Sequence, residues 1–209
     1  MNDQESVKAK EFNPKTSLGK AVKNGEIKSI DQIFEKGLKI KEPEIVDILL
    51  PNLKSEVIDT LNVQRVTKNG RKAKYRVISI VGDMNGHVGI GVGKNVELKA
   101  AIDESIVDAK KHIMAIPIGC GSWECGCGTA HSIPVAATGK CGHTEVKIAP
   151  APRGIGLVAG EEIRKLMYYA GVKDIWTFSR GTTKSSYNVL MAAKDALSKI
   201  ANMKSTDRL

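Results

Sequence analysis

The stretch Val57–Asn95 reads VIDTLNVQRVTKNGRKAKYRVISIVGDMNGHVGIGVGKN, and its turn residues divide it into strands. The run Val57 to Thr67 ends in a basic turn, Lys68-Asn69-Gly70-Arg71-Lys72. An Asn-Gly pair between two strand-like runs marks a hairpin. Lys74 to Val81, rich in β-branched residues, is then the return strand. Gly82-Asp83-Met84-Asn85-Gly86 is a second turn and His87 to Gly93 a third strand, so three antiparallel strands are expected. A helix is predicted from Val96 to Ile113 with Asn95 as its N-cap. Leu98, Ile102, Ile106, Ala109 and Ile113 recur at intervals of four, four, three and four, a stripe that needs a sheet to cover it. Lys99, Asp103, Lys110 and Lys111 take the opposite face.

The glycines of this stretch, Gly82, Gly86, Gly89, Gly91 and Gly93, invite a phosphate-loop reading, and it fails. Such a loop needs glycine where Val88 stands and Ser or Thr where Asn95 stands, and a dinucleotide fingerprint would need its third glycine in place of Lys94. The row is read as a strand whose Val88, Ile90 and Val92 face the core. Its glycines then form a bare outer face that another backbone, RNA or a neighbouring strand, can approach closely.

Upstream, residues 1–42 are lysine-rich, with Lys8, Lys10, Lys15, Lys20, Lys23 and Lys28 among Gly, Asn and Ser. They read as an extension without its own core, to be ordered by a partner. One short helix is expected inside it, from the capping-box spacing of Ser29 and Gln32 ahead of Ile33 and Phe34, with Gly37 ending it. Pro43 suits the first position of a second short helix, with Ile45, Ile48 and Leu49 as its seam and Pro51 as its stop.

Downstream, Pro117 marks a boundary. A glycine- and cysteine-rich segment follows, then a strand at Thr144 to Ile148, a helix from Gly160 to Ala170 with Gly171 as its C-cap, a strand at Ile175 to Phe178, and a helix from Ser186 to Ala201. The expected class is α+β throughout. Residues 1–42 are the extension, 43–117 a domain of helix, three strands and helix, and 118–209 a second domain of sheet plus two helices.

Lys and Arg number 32 against 23 Asp and Glu in 209 residues, a formal charge of +9, which favours a polyanionic partner. Aromatic residues are only 4%, which argues against a reader that stacks many bases on rings. No apolar run approaches the roughly 20 residues of a membrane span, and Met1 to Lys15 has no apolar signal core. A cytosolic protein with no membrane partner and with its four cysteines reduced is expected.

Five cations, Arg65, Lys68, Arg71, Lys72 and Lys74, crowd the hairpin tip with no carboxylate between them. That exceeds what solubility requires and fits a phosphate-lined groove; Lys94 stands at the end of the glycine strand. Pro150-Ala151-Pro152-Arg153-Gly154-Ile155-Gly156 leads toward a helix and places one cation, Arg153, there. It reads either as an anion-binding turn or as a plain strand-to-helix loop. Ser179 to Ser186 carries Arg180 and Lys184 among hydroxyls, a phosphate or protein contact, with helix capping by Ser185 or Ser186 able to coexist. Cys120, Cys125, Cys127 and Cys141, with His131 and His143 nearby, have the spacing C-x4-C-x-C, thirteen residues, C. Structural zinc sites prefer paired C-x2-to-4-C knuckles, so only half the pattern fits. Buried thiols are the preferred reading, with zinc on these four cysteines as the minor one and no cofactor otherwise expected. His87, His112, His131 and His143 have no evident catalytic partners, and no enzyme is expected.

Gly70-Arg71, Tyr75, Val77, Ile80-Val81-Gly82-Asp83, Gly86, Val88-Gly89, Gly91 and Gly93-Lys94 resemble the signature of the S-five family of small-subunit ribosomal proteins, and the resemblance runs from about Val57 to Ile200. It implies a first domain of the double-stranded-RNA-binding type, which reads shape rather than sequence. It also implies a structural role in the small subunit, contributing to assembly, to decoding accuracy and to the region where messenger RNA enters. Implied partners are small-subunit ribosomal RNA, ribosomal proteins of the fourth and eighth small-subunit families, and messenger RNA at that entrance. Gly119 to Trp123 and Cys141-Gly142-His143, with the long basic extension, resemble the archaeal branch. The alternative is a free double-stranded-RNA-binding regulator, which the first domain alone permits.

Overall fold

Thr16 opens the first helix, α1 (Ser17–Lys23), by accepting the Gly19 N–H on its side-chain oxygen at 3.1 Å. Two short helices follow, α2 (Asp31–Glu35) and α3 (Pro43–Leu49), the latter with proline in its first turn. The computed structural model describes residues 14–203, so Lys8 and Lys10 lie outside the described residues. The chain divides into two compact units: residues through Asp83 with Gly89–Ile113, and Met84–Val88 with the residues from Met114 onward.

In the first unit, the expectation that the N-terminal extension lacks a core is overturned for its described residues, 14–42. Val22, Ile27, Ile30, Ile33 and Ile40 are buried together with Ile45, Val46 and Ile113. The Glu42 carboxylate accepts the N–H groups of Lys15 at 2.9 Å and Thr16 at 2.8 Å, tying the start of the segment to α3. These apolar residues are spread over several turns and three short helices. Each helical turn supplies only two or three apolar residues, too few for a core of its own, and the core exists only once the three helices fold together. The predicted Ser29 cap is not used: Ile30 precedes α2, and Gln32 accepts the Lys28 N–H instead.

β1 (Lys54–Thr67), β2 (Gly70–Gly82), β3 (His87–Asn95) and the short β4 (Ile113–Ala115) form one sheet in that order. β1 and β2 pair antiparallel from Lys54 opposite Gly82 to Thr67 opposite Gly70, with an irregularity at Ile58. Only Lys68 and Asn69 stand between the paired ends. The left-handed residue is Gly70, at φ +105°, rather than Asn69.

The helix that covers the sheet, α4 (Leu98–Lys111), differs from its prediction in start and in face. It is preceded by Glu97; the Asn95 side-chain oxygen accepts the Val96 N–H, and its amide donates to Glu104 at 2.7 Å. Its buried residues are Ala101, Ser105 and Ala109; of the predicted stripe Ala109 and Ile113 are buried, Ile102 and Ile106 are half-buried and Leu98 is exposed. The reason lies in β3. A Cβ on Gly89, Gly91 or Gly93 would fall on backbone atoms of Ala109, of Ser105 and Ala109, or of Ala101 and Ser105, respectively. The glycines are therefore not an outer face. They let a helix with small residues at every fourth position lie directly on the strand. Val88 and Ile90 are buried as expected.

In the second unit, β5 (Ala137–Cys141), β6 (Thr144–Pro150), β7 (Leu157–Val158) and β8 (Ile175–Arg180) form a sheet in the order β5-β6-β8-β7. β7 and β8 are parallel and the other pairs antiparallel. α5 (Glu161–Ala170) ends on left-handed Gly171, φ +84°, and joins β7 to β8. α6 (Ser186–Ala201) buries Val189, Leu190, Ala192, Ala193, Ala196, Leu197 and Ile200, and follows Ser185, whose side chain makes no capping bond. Gly139 repeats the close approach of the first sheet, since a Cβ there would fall on backbone atoms of Ala192 and Ala196. The α+β expectation holds in both units. Residues 117–136 contain no helix or strand beyond one bridge, Gly119 with Ser132.

Candidate nucleic-acid interface and cysteine loop

The outer half of the β1–β2 hairpin has no core. Gly70 to Lys74 and Thr60 to Val66 are exposed, and Val66 keeps 75% of its surface. Its order comes from the backbone ladder and, at the turn, from the Thr67 hydroxyl donating to the Gly70 carbonyl at 3.0 Å. The register sets Arg65 directly opposite Lys72 and Val63 opposite Lys74. Alternation then places Val63, Arg65, Lys72 and Lys74 on one face of the ribbon. With Lys94 from β3 and Thr67 they line one shallow concave surface. Lys68 sits in the turn, and Arg71, opposite Val66, takes the other face. Like charges directly across a ladder repel, and among the described residues none of Arg65, Lys68, Arg71, Lys72, Lys74 and Lys94 is in an ion pair. All six are exposed and stand without internal counter-charge.

The second unit carries the remaining predicted cations. Arg153 is exposed on the loop before β7. That loop is held from below: Asp174 accepts the N–H groups of Gly154 at 3.0 Å and Gly156 at 2.8 Å. Arg180 ends β8 opposite Glu145, and Lys184 follows in the exposed link to α6. The Thr144 hydroxyl donates to the Thr182 carbonyl at 2.9 Å and anchors that link.

The cysteine prediction needs correction. Cys141 ends β5 and is not part of the cluster. Cys120, Cys125 and Cys127 converge instead with His131, whose ligating atoms and theirs all lie within 4.8 Å of one another. Cys127 Sγ is 3.6 Å from Cys120 Sγ, and Cys125 Sγ is 3.6 Å from His131 Nε2. His131 and Asp174 are both buried, with Nδ1 of the ring 2.8 Å from the carboxylate. The carboxylate lies off the ring N–H direction, so the contact is an ion-pair approach more than an aligned hydrogen bond. The thiols are not equivalent. Burial, then hydrogen bonds with Cys127 and Cys125, pushes Cys120 up to about 11. The Thr129 hydroxyl, backed by its N–H, draws Cys127 down to about 6. For Cys125 the bond shared with Cys127 pushes upward, but the backbone N–H groups of Arg153 and Cys127 outweigh it and the thiol falls below its ordinary range. Burial works against a charged His131, and contacts with Cys125, Cys127 and Asp174 overcome it, so the imidazole is raised. His131 was legible as the end of a Cys-x3-His spacing. Asp174, 43 positions further along, had no sequence signal that tied it to the cysteines.

A two-unit α+β protein with an uncompensated cationic finger falls in the class of basic nucleic-acid-binding proteins. Comparison with known sequences is specific. Residues 53–117 match the family "Ribosomal protein S5, N-terminal domain" and residues 139–208 match "Ribosomal protein S5, C-terminal domain". The chain is 51% identical over 187 residues to the small ribosomal subunit protein uS5 of Methanocaldococcus jannaschii, covering 90% of this chain and 86% of that protein. It is 49% identical over 198 residues to the uS5 of Methanoregula boonei, covering 95% and 96%, and 48% identical over 187 residues to that of Metallosphaera sedula, covering 90% and 87%. The chain belongs to the ribosomal protein S5 family.

Proposed function

We propose that this protein is a structural constituent of the small ribosomal subunit in the cytoplasm, a scaffold that binds ribosomal RNA and not an enzyme. Family membership supports the ribosomal role. The observation that carries the RNA-binding mode is the hairpin face: Arg65 opposite Lys72, with Lys74 and Lys94 beside them and no carboxylate partner. Cations so arranged release counterions from an RNA backbone on binding, and a phosphate-lined groove offsets the repulsion that the free ribbon carries. Lys68 and Arg71 extend the contact to the tip and the far face. Arg153, Arg180 and Lys184 form further RNA or protein contacts of the second unit. On this reading residues 43–117 are the double-stranded-RNA-binding-type domain, residues 118–209 the C-terminal domain, and residues 1–42 a basic extension whose described part, from residue 14, packs on the first.

The finer role follows from the family resemblance. The protein supports subunit assembly and decoding accuracy, lies near the entrance for messenger RNA, and touches neighbours of the fourth and eighth small-subunit families. Sucrose-gradient fractionation with quantitative mass spectrometry tests the base of this reading. One copy per small subunit, retained at moderate salt, is expected. Recovery in the free fraction alone would replace it with a free double-stranded-RNA-binding regulator.

A further inference from the structure

The cysteine loop combines three observations that RNA binding does not use. Four soft or borderline donors come from one twelve-residue stretch, Cys120-x4-Cys125-x-Cys127-x3-His131, and their ligating atoms converge within 4.8 Å. Zn–S bonds of about 2.3 Å and a Zn–N bond of about 2.0–2.1 Å set at tetrahedral angles place sulfurs about 3.8 Å apart and sulfur about 3.6 Å from nitrogen. The observed separations, 3.6 Å for Cys120–Cys127 and 3.6 Å for Cys125–His131, match that figure closely. A disulfide, with sulfurs about 2.05 Å apart, would leave one of three thiols over. The second observation is the carboxylate behind the imidazole. His131 offers Nε2 to the cluster while its Nδ1 lies 2.8 Å from the buried Asp174 carboxylate, off the ring N–H direction; once that contact is aligned, it is the kind of carboxylate partner that orients a metal-bound histidine and sets its tautomer. The third is the loop itself. Residues 117–136 hold no helix or strand beyond the single Gly119–Ser132 bridge. A segment of that length without a ladder needs another source of order.

We propose that Cys120, Cys125, Cys127 and His131 form a structural zinc site, with Asp174 as the residue that positions His131. Three thiolates and one neutral imidazole fill a tetrahedron and leave no open position, so the metal is structural and not catalytic. Loading releases the protons held by the thiols to solvent and leaves the Zn²⁺ with its three thiolates at a net charge of −1. The backbone N–H groups of Arg153 and Cys127, which point at Cys125, stabilise that charge. Asp174 also holds the Gly154 and Gly156 N–H groups, so the metal ties the cysteine loop to the loop that presents Arg153.

The full-length chain, purified under reducing conditions without chelator, is expected to carry about one zinc per chain by elemental mass spectrometry. After chelator stripping, added Co²⁺ should give the visible spectrum of a tetrahedral thiolate site, and Zn²⁺ should abolish it. Cys141→Ser should retain the zinc and Cys127→Ser should lose it. Asp174→Asn, which keeps an oxygen for the glycine N–H groups, should weaken zinc binding about 10–100-fold. Should Cys127→Ser fail to fold, the Co²⁺ spectrum of the unaltered chain decides. The site is overturned by a chain that takes up less than about a tenth of an equivalent of zinc after anaerobic dialysis against it, or by Co²⁺ bound without thiolate bands. Loss of the metal on Cys141→Ser with retention on Cys127→Ser would equally rule out this ligand set.

Discussion

Within β2, every residue from Val77 to Gly82 is buried, and every residue from Gly70 to Lys74 is exposed. Both halves pair with β1, with one register shift in the buried half, and β2 also lies beside β3 in the sheet. The difference lies in what covers them. The base of the hairpin belongs to the sheet on which α4 lies, close enough that Gly89, Gly91 and Gly93 of the neighbouring strand admit no side chain. Apolar burial there contributes about 1.5–3 kcal/mol for each large side chain. The outer half has no such cover and adds repulsion between Arg65 and Lys72. Stability resides in the base, and on the proposed function the outer half is the part that meets a partner bringing negative charge.

Substitutions can pull the two halves apart, and the largest effect belongs to the base. Gly91→Val should cost about 3 kcal/mol or more, because its Cβ meets backbone atoms of Ser105 and Ala109 that can yield only if the helix moves. Urea denaturation measures this, and a loss under about 1 kcal/mol would mean that α4 does not rest on a bare strand.

Replacing Arg65, Lys72, Lys74 and Lys94 together by Gln should do the opposite. Stability should stay within about 1 kcal/mol, while affinity for a ribosomal RNA fragment falls at least about 100-fold and the slope of log K against log salt becomes shallower by about three to four. A large stability loss with an unchanged slope would show that these cations serve the fold.

A smaller change separates the two states of the same residue. Arg65→Ala relieves the cross-strand repulsion, so the free protein should be unchanged or more stable by up to about 0.5 kcal/mol. Its RNA affinity should nonetheless drop, with the salt slope shallower by about one. Chemical denaturation and filter binding on one preparation give both values, and destabilisation of the free protein would count against unrelieved repulsion.

The smallest effect marks the contrast with a charge that already has its partner. Asp195 lies 2.8 Å from Lys199 and accepts the Lys140 N–H at 3.1 Å. The Lys199 hydrogen bond first, then the Lys140 N–H, lowers its pKa. A lowered carboxyl contributes stability that is present above its unfolded-state pKa and is lost as pH falls through the folded value. Asp195→Asn should therefore cost well under about 1 kcal/mol near neutral pH, since the pair is partly solvated, and nothing once the carboxyl is protonated. Urea midpoints at neutral and acidic pH check it; an equal deficit at both would make the loss one of packing rather than charge.

How far each feature could be read in the sequence follows from how local its cause is. The hairpin, the strand at Thr144, the helix ended by Gly171 and the last helix are set by turn residues and periodicity within a few positions, and the structure has them in place. β4 and β7, of three and two residues, carry too little pattern to be seen. The stripe predicted for α4 held at Ala109 and Ile113 but misled elsewhere, because large apolar residues at helical spacing outweigh alanines in any periodicity argument. In the folded chain Ala101, Ser105 and Ala109 are the buried set, since only small residues match a strand of glycines.

By itself, then, the sequence determined the α+β class, the hairpin with its cluster of cations, and the family resemblance, because each depends on residues adjacent in the chain or on a contiguous signature. Tertiary structure alone decided three other matters. It placed Arg65, Lys72, Lys74 and Lys94 on one surface. It gathered the scattered isoleucines of the N-terminal helices into a core. It also exchanged Cys141 for His131 in the cysteine cluster and set Asp174 behind that histidine. Each of these is a coincidence in space between residues far apart or out of phase along the chain. Strand register, helix docking and loop closure bring them together, and no local pattern encodes that approach.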